Sequence, residues 1–258
     1  MKKRIEDLII FNSTKLESNY LLLELQSGNK LDEIIPGQFV EILVTGCKDS
    51  FLRRPISIHD VDYKNNTISF LIKIVGCGTE TISRMKQGEK LNVVYPLGNG
   101  FSLPRVHKVL FIGGGYGIAP FLYFGKILIQ HKIKPLILLG ARKGSDFVLL
   151  NEFKAVGDLY LTTEDGSLGE KGLVTDHSLL KNGNSSFQKI YACGPELMMK
   201  AVARYAVKST IDCEVSLDNL MACGIGACLC CVTETIRGNE LVCMKGPVFN
   251  VNELKWQI

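Results

Sequence analysis

Five of the nine cysteines in this chain fall between Cys223 and Cys243, close to the C-terminus. Four of them follow the spacing C-x4-C-x2-C-x11-C, which is typical of plant-type 2Fe-2S proteins. Such a cluster needs four thiolates around a small anionic centre, and Gly224 and Gly226 would let backbone amides approach its sulfides. The spacing therefore predicts an electron-carrying 2Fe-2S cluster. Its predicted ligands are Cys223, Cys228, Cys231 and Cys243.

The fifth cysteine of this region, Cys230, competes with Cys231 for one ligand position, and the spacing favours Cys231. A four-cysteine zinc site is the alternative, since it also uses C-x2-C pairs, although it has no need of a glycine-rich gap. Elsewhere, Cys47, Cys77 and Cys213 are predicted to be small buried or half-buried hydrophobic residues without a redox role. So many cysteines in a chain expected in the cytoplasm argue against a disulfide framework.

Two segments of the N-terminal half are suited to a flavin dinucleotide. The first consists of Arg54, Pro55, Ile56 and Ser57. Its arginine could clamp a pyrophosphate with two hydrogen bonds, while the other three residues hold a ring edge. The second, Gly78 and Thr79, begins a predicted helix whose first amides would point at a phosphate. The alternatives are a solvated arginine pair before an ordinary strand, and a capped helix without a ligand.

The C-terminal half has a glycine-rich loop at the end of a predicted buried strand. The loop glycines are Gly113, Gly114, Gly115 and Gly117, and a predicted helix follows them. This context favours a nucleotide, although a bare glycine-rich turn is the alternative. A later strand ends at Cys193, Gly194 and Pro195, where small residues would let a nicotinamide ring lie close to the backbone. Arg142 and Lys143 leave the choice between NAD and NADP open.

The elements that must position these residues change character along the chain. Short β-rich runs up to Pro104 predict an antiparallel β-barrel, which we expect to bind FAD over residues 1–104. Buried strands alternating with helices then predict a parallel α/β domain that binds NAD over residues 105–211. Residues 212–258 are predicted to form a small iron-sulfur segment that the cluster organises, because they have too little apolar periodicity for a core of their own.

Composition excludes several other functions. The formal charge of +4 is spread over 30 basic and 26 acidic residues, with no basic run beyond Lys2-Lys3-Arg4, so no nucleic-acid partner is expected. The apolar run at Leu8–Phe11 is too short for a signal peptide, and the glycine-rich stretch at Val109–Gly125 is too short to span a membrane. We therefore expect a cytoplasmic protein.

The order of these motifs resembles that of the ferredoxin-NADP reductase superfamily. With the cysteine-rich tail, four further segments make the chain similar to the family of electron-transfer subunits of dihydroorotate dehydrogenase B. These segments are Pro96–Phe101, Glu164–Ser167, Gly169–Gly172 and Cys243–Phe249. The resemblance covers nearly the whole chain.

The resemblance implies an NAD-linked oxidoreductase subunit of pyrimidine biosynthesis. It implies that Leu71, Ile72 and Lys73 join the flavin-binding residues above. It also implies a separate catalytic subunit containing FMN, in a heterotetramer with two copies of each chain. Electrons would pass from dihydroorotate through FMN, 2Fe-2S and FAD to NAD+. No side chain would act as a catalytic acid or base, because the cofactors carry the reaction. A related nicotinamide-ferredoxin or sulfide/sulfur oxidoreductase subunit is the alternative.

Overall fold

The computed structural model describes residues 2–47, 51–181 and 187–256. The first half of the chain forms one seven-stranded sheet in which every pairing is antiparallel and which curls into a half-barrel. Its strands are β1 (Arg4–Leu16), β2 (Tyr20–Gln26), β3 (Phe39–Ile42), β4 (Arg54–Ser57), β5 (Asp60–Asp62), β6 (Thr67–Lys73) and β7 (Lys90–Leu97). The strand order is β4-β3-β7-β1-β2-β6-β5, and helix α1 (Cys77–Arg84) follows β6. The predicted antiparallel fold of this half is confirmed.

Alternation of side chains explains how this first sheet closes around a core. Leu21, Leu23 and Leu25 on β2 are fully buried, and they pack with Val40 and Ile42 of β3. Residues two apart on a strand share a face, so the intervening positions lie on the outer side. The outer face of β3 and β7 is itself covered, because it packs against the C-terminal part of the chain.

The second half of the chain forms another seven-stranded sheet. Its strands are β8 (Val109–Gly114), β9 (Leu136–Ala141), β10 (Asp158–Thr163), β11 (Glu170–Lys171), β12 (Lys189–Cys193), β13 (Asp212–Ser216) and β16 (Val248–Asn250), in the order β11-β10-β9-β8-β12-β13-β16. All pairings are parallel except that of β13 with β16. Strands β14 (Val232–Thr235) and β15 (Gly238–Leu241) form a separate hairpin. The predicted parallel α/β fold is confirmed.

Helices pack against the second sheet. They are α2 (Phe121–Gln130), α3 (Leu150–Val156), α4 (Ser178–Lys181), α5 (Glu196–Lys208) and α6 (Val242–Lys245). On one face, Phe111, Phe121, Phe124 and Tyr191 form an aromatic cluster with ring centroids 4.8 to 5.8 Å apart. None of the helices in the described ranges is long and apolar enough to cross a membrane.

The C-terminal part of the chain is joined to the second sheet. Strand β13 pairs with β12, so residues 212–216 lie within that sheet, and β16 extends its edge. Cys231, Val242 and Cys243 share one buried core with sheet residues such as Val215. The segment thus packs into the core of the second sheet, because it has too few apolar residues to form a core of its own. The division of the chain at residues 104 and 211 stays a prediction.

The two halves also meet at a buried histidine. His59 follows β4 and is 1% exposed, and its Nδ1 lies 2.6 Å from the carbonyl oxygen of Ala119. The amide of Tyr123 donates to the His59 carbonyl over 3.0 Å, so α2 is tied directly to the first sheet. This contact fixes the glycine-rich loop before α2 relative to the strands that precede it.

One sequence prediction is wrong. Cys47 and Cys77 are joined by a disulfide, with Cα atoms 6.0 Å apart, whereas we expected neither a disulfide nor a special role for them. The two residues are separated by 30 positions, and the bond connects the loop after β3 with the first residue of α1. Cys213 is fully buried, which confirms the prediction of a buried hydrophobic residue there.

Candidate functional site

The first pair of C-terminal thiols is formed by Cys223 and Cys228. The Cys223 sulfur accepts hydrogen bonds from the amides of Ile225 at 3.5 Å and Ala227 at 3.3 Å. Burial alone would raise the pKa of Cys223, but these amides and the Cys228 amide and thiol outweigh it and lower the pKa to about 6. The loop therefore stabilises a thiolate at this position, which is the form that binds iron.

The second pair is formed by Cys231 and Cys243, which are both buried. The amide of Cys243 donates to the Cys231 sulfur over 3.4 Å, and the amide of Val242 donates to the Cys231 carbonyl over 2.9 Å. Burial and the neighbouring Cys231 thiol raise the pKa of Cys243 to about 12. A metal centre would offset this cost, because coordination deprotonates a thiol outright.

Two thiol pairs fit a two-iron cluster, in which each iron takes two protein ligands. Across residues 2–47, 51–181 and 187–256, no three cysteine, histidine, aspartate or glutamate side chains converge as they would on a single metal ion. The Cys230 thiol contacts the carbonyl oxygen of Leu220 at 3.6 Å. Cys230 is exposed whereas the adjacent Cys231 is buried.

The cysteine loop lies directly on the first sheet. Gly224 has a φ of +65°, and a Cβ there would meet Glu41 Cγ at 2.7 Å and Leu97 Cδ1 at 2.9 Å. Glu41 is fully buried on β3, and neither of its carboxylate oxygens has a hydrogen-bond partner. Burial raises the pKa of Glu41 to about 7, although Arg53 and Arg54 oppose this. Glycine at position 224 thus allows the loop to contact a strand next to the predicted flavin-binding segment.

The predicted flavin-binding residues of β4 lie at the edge of the first sheet, where all four are half-buried. The structure distinguishes the two neighbouring arginines. Arg53 donates to the Asn92 side chain at 2.5 Å and to the carbonyl oxygens of Asn92 and Glu41, so it holds three strands together. Arg54 is the arginine on β4 itself, opposite Ile42 of β3.

The second predicted phosphate segment begins α1. Thr79 uses its hydroxyl within the turn, accepting from the amides of Val75 at 3.0 Å and Gly76 at 3.2 Å. The side chain therefore shapes the helix start, and backbone amides are the groups suited to an anion, since the first amides of a helix lack intrahelical partners.

On β6, Leu71 and Ile72 are buried, so a ligand would meet their backbone. Lys73 lies over the ring of Tyr20, 4.2 Å from its centroid.

The predicted nucleotide loop and the predicted nicotinamide segment meet at the carboxyl ends of β8 and β12. A Cβ at Gly117 would lie 2.4 Å from the Cys193 carbonyl oxygen and 2.5 Å from Gly194 Cα. A Cβ at Gly194 would lie 3.0 Å from the amide nitrogen of Gly114. The two segments thus run backbone to backbone. Burial raises the pKa of Cys193 to about 12, so this thiol is neutral.

The flavin segments and the nucleotide loop are neighbours. Leu71 of β6 shares a buried core with Ile118 and Ala119, which directly follow the glycine loop. A cavity of about 340 Å³ opens beside the loop, between Gly194, Tyr116 and the start of the cysteine-rich segment at Asp218. The Tyr116 hydroxyl donates to Asp218 over 3.0 Å. The nucleotide loop, the nicotinamide segment and the residues just before the cysteines thus meet at one cavity, and the loop shares a core with strand β6.

Comparison with known proteins agrees with this geometry. The iron-sulfur cluster binding domain of dihydroorotate dehydrogenase B matches residues 218–255, and the oxidoreductase NAD-binding domain matches residues 111–204. The dihydroorotate dehydrogenase B (NAD(+)) electron transfer subunit of Fusobacterium nucleatum is 35% identical over 98% of this chain and 99% of its own length. That of Caldanaerobacter subterraneus is 39% identical over 85% of this chain and 86% of its own. The chain belongs to this family of electron transfer subunits.

Solved structures extend the family comparison to the fold. The structure of an NADH-dependent reduced ferredoxin-NADP oxidoreductase matches with a TM-score of 0.86 and 29% identity, over 96% of this chain and 90% of that one. The ferredoxin reductase of carbazole 1,9a-dioxygenase matches with a TM-score of 0.70 at 20% identity, over 82% of this chain and 67% of that one. The second likeness concerns the fold alone. The ferredoxin-NADP reductase fold expected from the motifs is confirmed.

Three residues at the site were not predicted from the sequence. Glu41 resembles an outward-facing residue of an alternating strand, whereas in the structure it is buried and in contact with Gly224. Tyr116 lies inside the glycine loop. A large side chain among glycines was the sign in the sequence that this residue could have a role. Asp218, its hydrogen-bond partner, is 102 positions away and carries no local signal.

Proposed function

We propose that this chain carries electrons from the FMN of a dihydroorotate dehydrogenase catalytic subunit to NAD+, by way of a 2Fe-2S cluster and FAD. The observation that carries the proposal is the pairing of Cys223 with Cys228 and of Cys231 with Cys243 in a loop that packs on β3, beside the predicted flavin strand β4. When bound, the cluster supplies one-electron transfer, and FAD and NAD+ supply hydride transfer. The protein's part is to hold and orient these groups.

The iron ligands in this proposal are Cys223, Cys228, Cys231 and Cys243. The amides of Ile225 and Ala227 reach the Cys223 sulfur and would neutralise part of its charge, which is how outer-shell hydrogen bonds tune such centres. Cys230 is left out because the spacing favours Cys231 and because the Cys230 thiol contacts the carbonyl oxygen of Leu220.

The FAD-binding residues in this proposal surround the open edge of the first sheet. They are Arg54, Pro55, Ile56, Ser57, Leu71, Ile72, Lys73, Gly78 and Thr79. Arg54 would hold the pyrophosphate, because a guanidinium matches phosphate oxygens with two parallel hydrogen bonds. The amides that begin α1 would complete this anion site.

The NAD-binding residues in this proposal are Gly113, Gly114, Gly115, Gly117, Cys193, Gly194 and Pro195. They are supported by the close backbone contact between Gly117 and Cys193 at the carboxyl edge of the sheet. Small residues at this edge would let a nicotinamide ring lie close to the backbone. Gly117 and Gly194 would position the ring by excluding bulk rather than by supplying a polar group.

The catalytic partner would dock over the cysteine loop. Leu220 is 87% exposed, and Leu229 and Ile225 are 65% and 51% exposed, all on the segment that contains the thiols. Exposed apolar residues gathered in this way mark a protein interface. We propose a heterotetramer with two copies of each chain, in which the partner contains FMN. We also propose that the protein works in the cytoplasm, and that residues 1–104, 105–211 and 212–258 serve FAD, NAD and the cluster respectively.

A nicotinamide-ferredoxin or sulfide/sulfur oxidoreductase subunit is the second candidate. The likeness to an NADH-dependent reduced ferredoxin-NADP oxidoreductase, at 29% identity over 96% of the chain, favours the ferredoxin-linked form. Both candidates need the same cofactor sites, so the partner decides between them.

The test is co-purification with an FMN-containing dihydroorotate dehydrogenase chain, followed by an assay of dihydroorotate-dependent NAD+ reduction. We expect activity only when both chains are present. Leu220→Glu should abolish it by breaking the interface, while Leu173→Glu, at another exposed leucine outside the cysteine segment, should preserve it. Activity with ferredoxin and none with the dihydroorotate-oxidising chain would replace this proposal with the second candidate.

A further inference from the structure

The disulfide between Cys47 and Cys77 lies at the predicted flavin phosphate site. Cys77 is the first residue of α1 and directly precedes Gly78. Cys47 lies on the loop between β3 and β4, ahead of Arg54, and its side chain is buried in the core of the first sheet. One covalent bond therefore ties the start of α1 to the core of the sheet in which β3 pairs with β4, the strand that begins with Arg54.

The connection constrains both segments at defined points. Arg53, next to Arg54, is already held by Asn92 and by the carbonyl oxygen of Glu41. Arg53 and strand β4 are thus anchored to β3 and β7 in either state, and the disulfide adds a covalent tie between this sheet and the start of α1. The start of α1 is likewise tied to the sheet core through Cys77.

We propose that Cys47 and Cys77 form a thiol-disulfide switch that controls how tightly the protein retains FAD. This inference rests on the proposed function, because it takes the cradle between Arg54 and Gly78 as the pyrophosphate site. The oxidised pair preorganises the cradle, and preorganisation strengthens binding by removing the cost of ordering loops. The reduced pair lets the start of α1 move away from the sheet that carries Arg54, so FAD leaves faster.

The chemistry is exchange with a dithiol reductant. Cys77 is exposed whereas Cys47 is 8% exposed, so the reductant's thiolate attacks the Cys77 sulfur. A bond forms between the reductant and Cys77, the bond between Cys47 and Cys77 breaks, and Cys47 leaves as a thiolate that takes up a proton. The second thiol of the reductant then attacks the reductant sulfur of the mixed disulfide. Cys77 is released as a thiolate, which also takes up a proton. The pair gains two electrons and two protons, which the dithiol loses as it becomes a disulfide.

The accessibility of Cys77 suits this role. A sulfur at a helix N-terminus leaves readily as a thiolate, because backbone amides stabilise the negative charge. Disulfides in reducing compartments are usually transient and regulatory rather than structural. A bond that ties a predicted ligand-holding segment to the sheet, with one sulfur exposed, agrees with that pattern.

The test measures FAD release from the intact flavoprotein. The purified holoprotein is diluted anaerobically with and without dithiothreitol, and FAD release is followed by flavin fluorescence, while mass spectrometry of unreduced peptides reports the state of the pair. We expect reduction to speed release by about tenfold. Cys47→Ser and Cys77→Ser should each release FAD at the fast rate with or without reductant. Cys213→Ala, which removes a buried thiol in β13, should keep the response.

Two results would overturn the inference while leaving the proposed function intact. One is a flavin-loaded protein whose release rate does not change when the peptide map shows the bond cleaved. The other is a map in which Cys47 and Cys77 are free thiols even after treatment with oxidised glutathione. A purified protein that binds no FAD would overturn the proposed function and this inference together.

Discussion

Replacing Gly117 with alanine tests the predicted nucleotide site at its tightest point. The new methyl carbon would lie 2.4 Å from the Cys193 carbonyl oxygen, about 1 Å closer than ordinary van der Waals contact at 3.4 Å. The obstruction is backbone, so it cannot rotate away as a side chain would. The loop after β8 and the segment after β12 must then separate, and overpacking of this kind costs about 1 to 3 kcal/mol.

If that separation distorts the surface on which NAD lies, affinity falls by about 5-fold to 150-fold. The assay is the KM for NADH in the reduction of an artificial electron acceptor, with FAD and iron content measured on the same sample. Gly28→Ala is the matched control, because its Cβ would have no atom within 4 Å. A Gly117→Ala protein with full cofactor content and an unchanged KM would refute the predicted site.

Three further predictions concern the other parts of the site. Cys231→Ser should remove iron and acid-labile sulfide while Cys230→Ser retains both, and the opposite pattern in a metal analysis would reassign the ligand. Arg54→Ala should weaken FAD binding by about 1.5 to 3 kcal/mol, measured by fluorescence titration, because a charge-assisted hydrogen bond is lost; unchanged affinity would exclude this arginine. The pKa of Glu41 rises from 4.5 to about 7 on burial, so its neutral form contributes stability that is full below pH 4.5 and lost as pH rises through 7. Glu41→Gln should remove this dependence, so its free energy of unfolding relative to that of the wild type should rise by about 3 kcal/mol between pH 4.5 and pH 8, as measured by denaturant unfolding. A difference between the two proteins that stays constant with pH would contradict this prediction.

The parts of the site that depend on local spacing were accessible from sequence. The cysteine pattern fixes which thiols are close in the chain, and the glycines between Gly113 and Gly117 follow a buried strand whose end is easily recognised. A residue next to a strand end or a helix start can be placed from the sequence that directly surrounds it. The same holds for Gly78 at the start of α1.

The parts that depend on tertiary packing were not accessible. Cys47 and Cys77 pair across 30 positions, and no periodicity reports such a contact. Glu41 is buried and in contact with Gly224, which is far along the chain, so its burial has no signal in the local sequence. Strand β13 pairs in parallel with β12, and this contact between separate parts of the chain has no signal in the local sequence.

The measurement that tests the central claim most directly is anaerobic titration of the purified chain with NADH. Absorbance would follow the flavin and low-temperature electron paramagnetic resonance would follow the cluster. We predict loss of flavin absorbance together with the signal of a reduced 2Fe-2S cluster, at two irons and one FAD per chain. Flavin bleaching without any cluster signal, or zinc in place of iron, would contradict an electron path that runs between the cysteine loop and NAD.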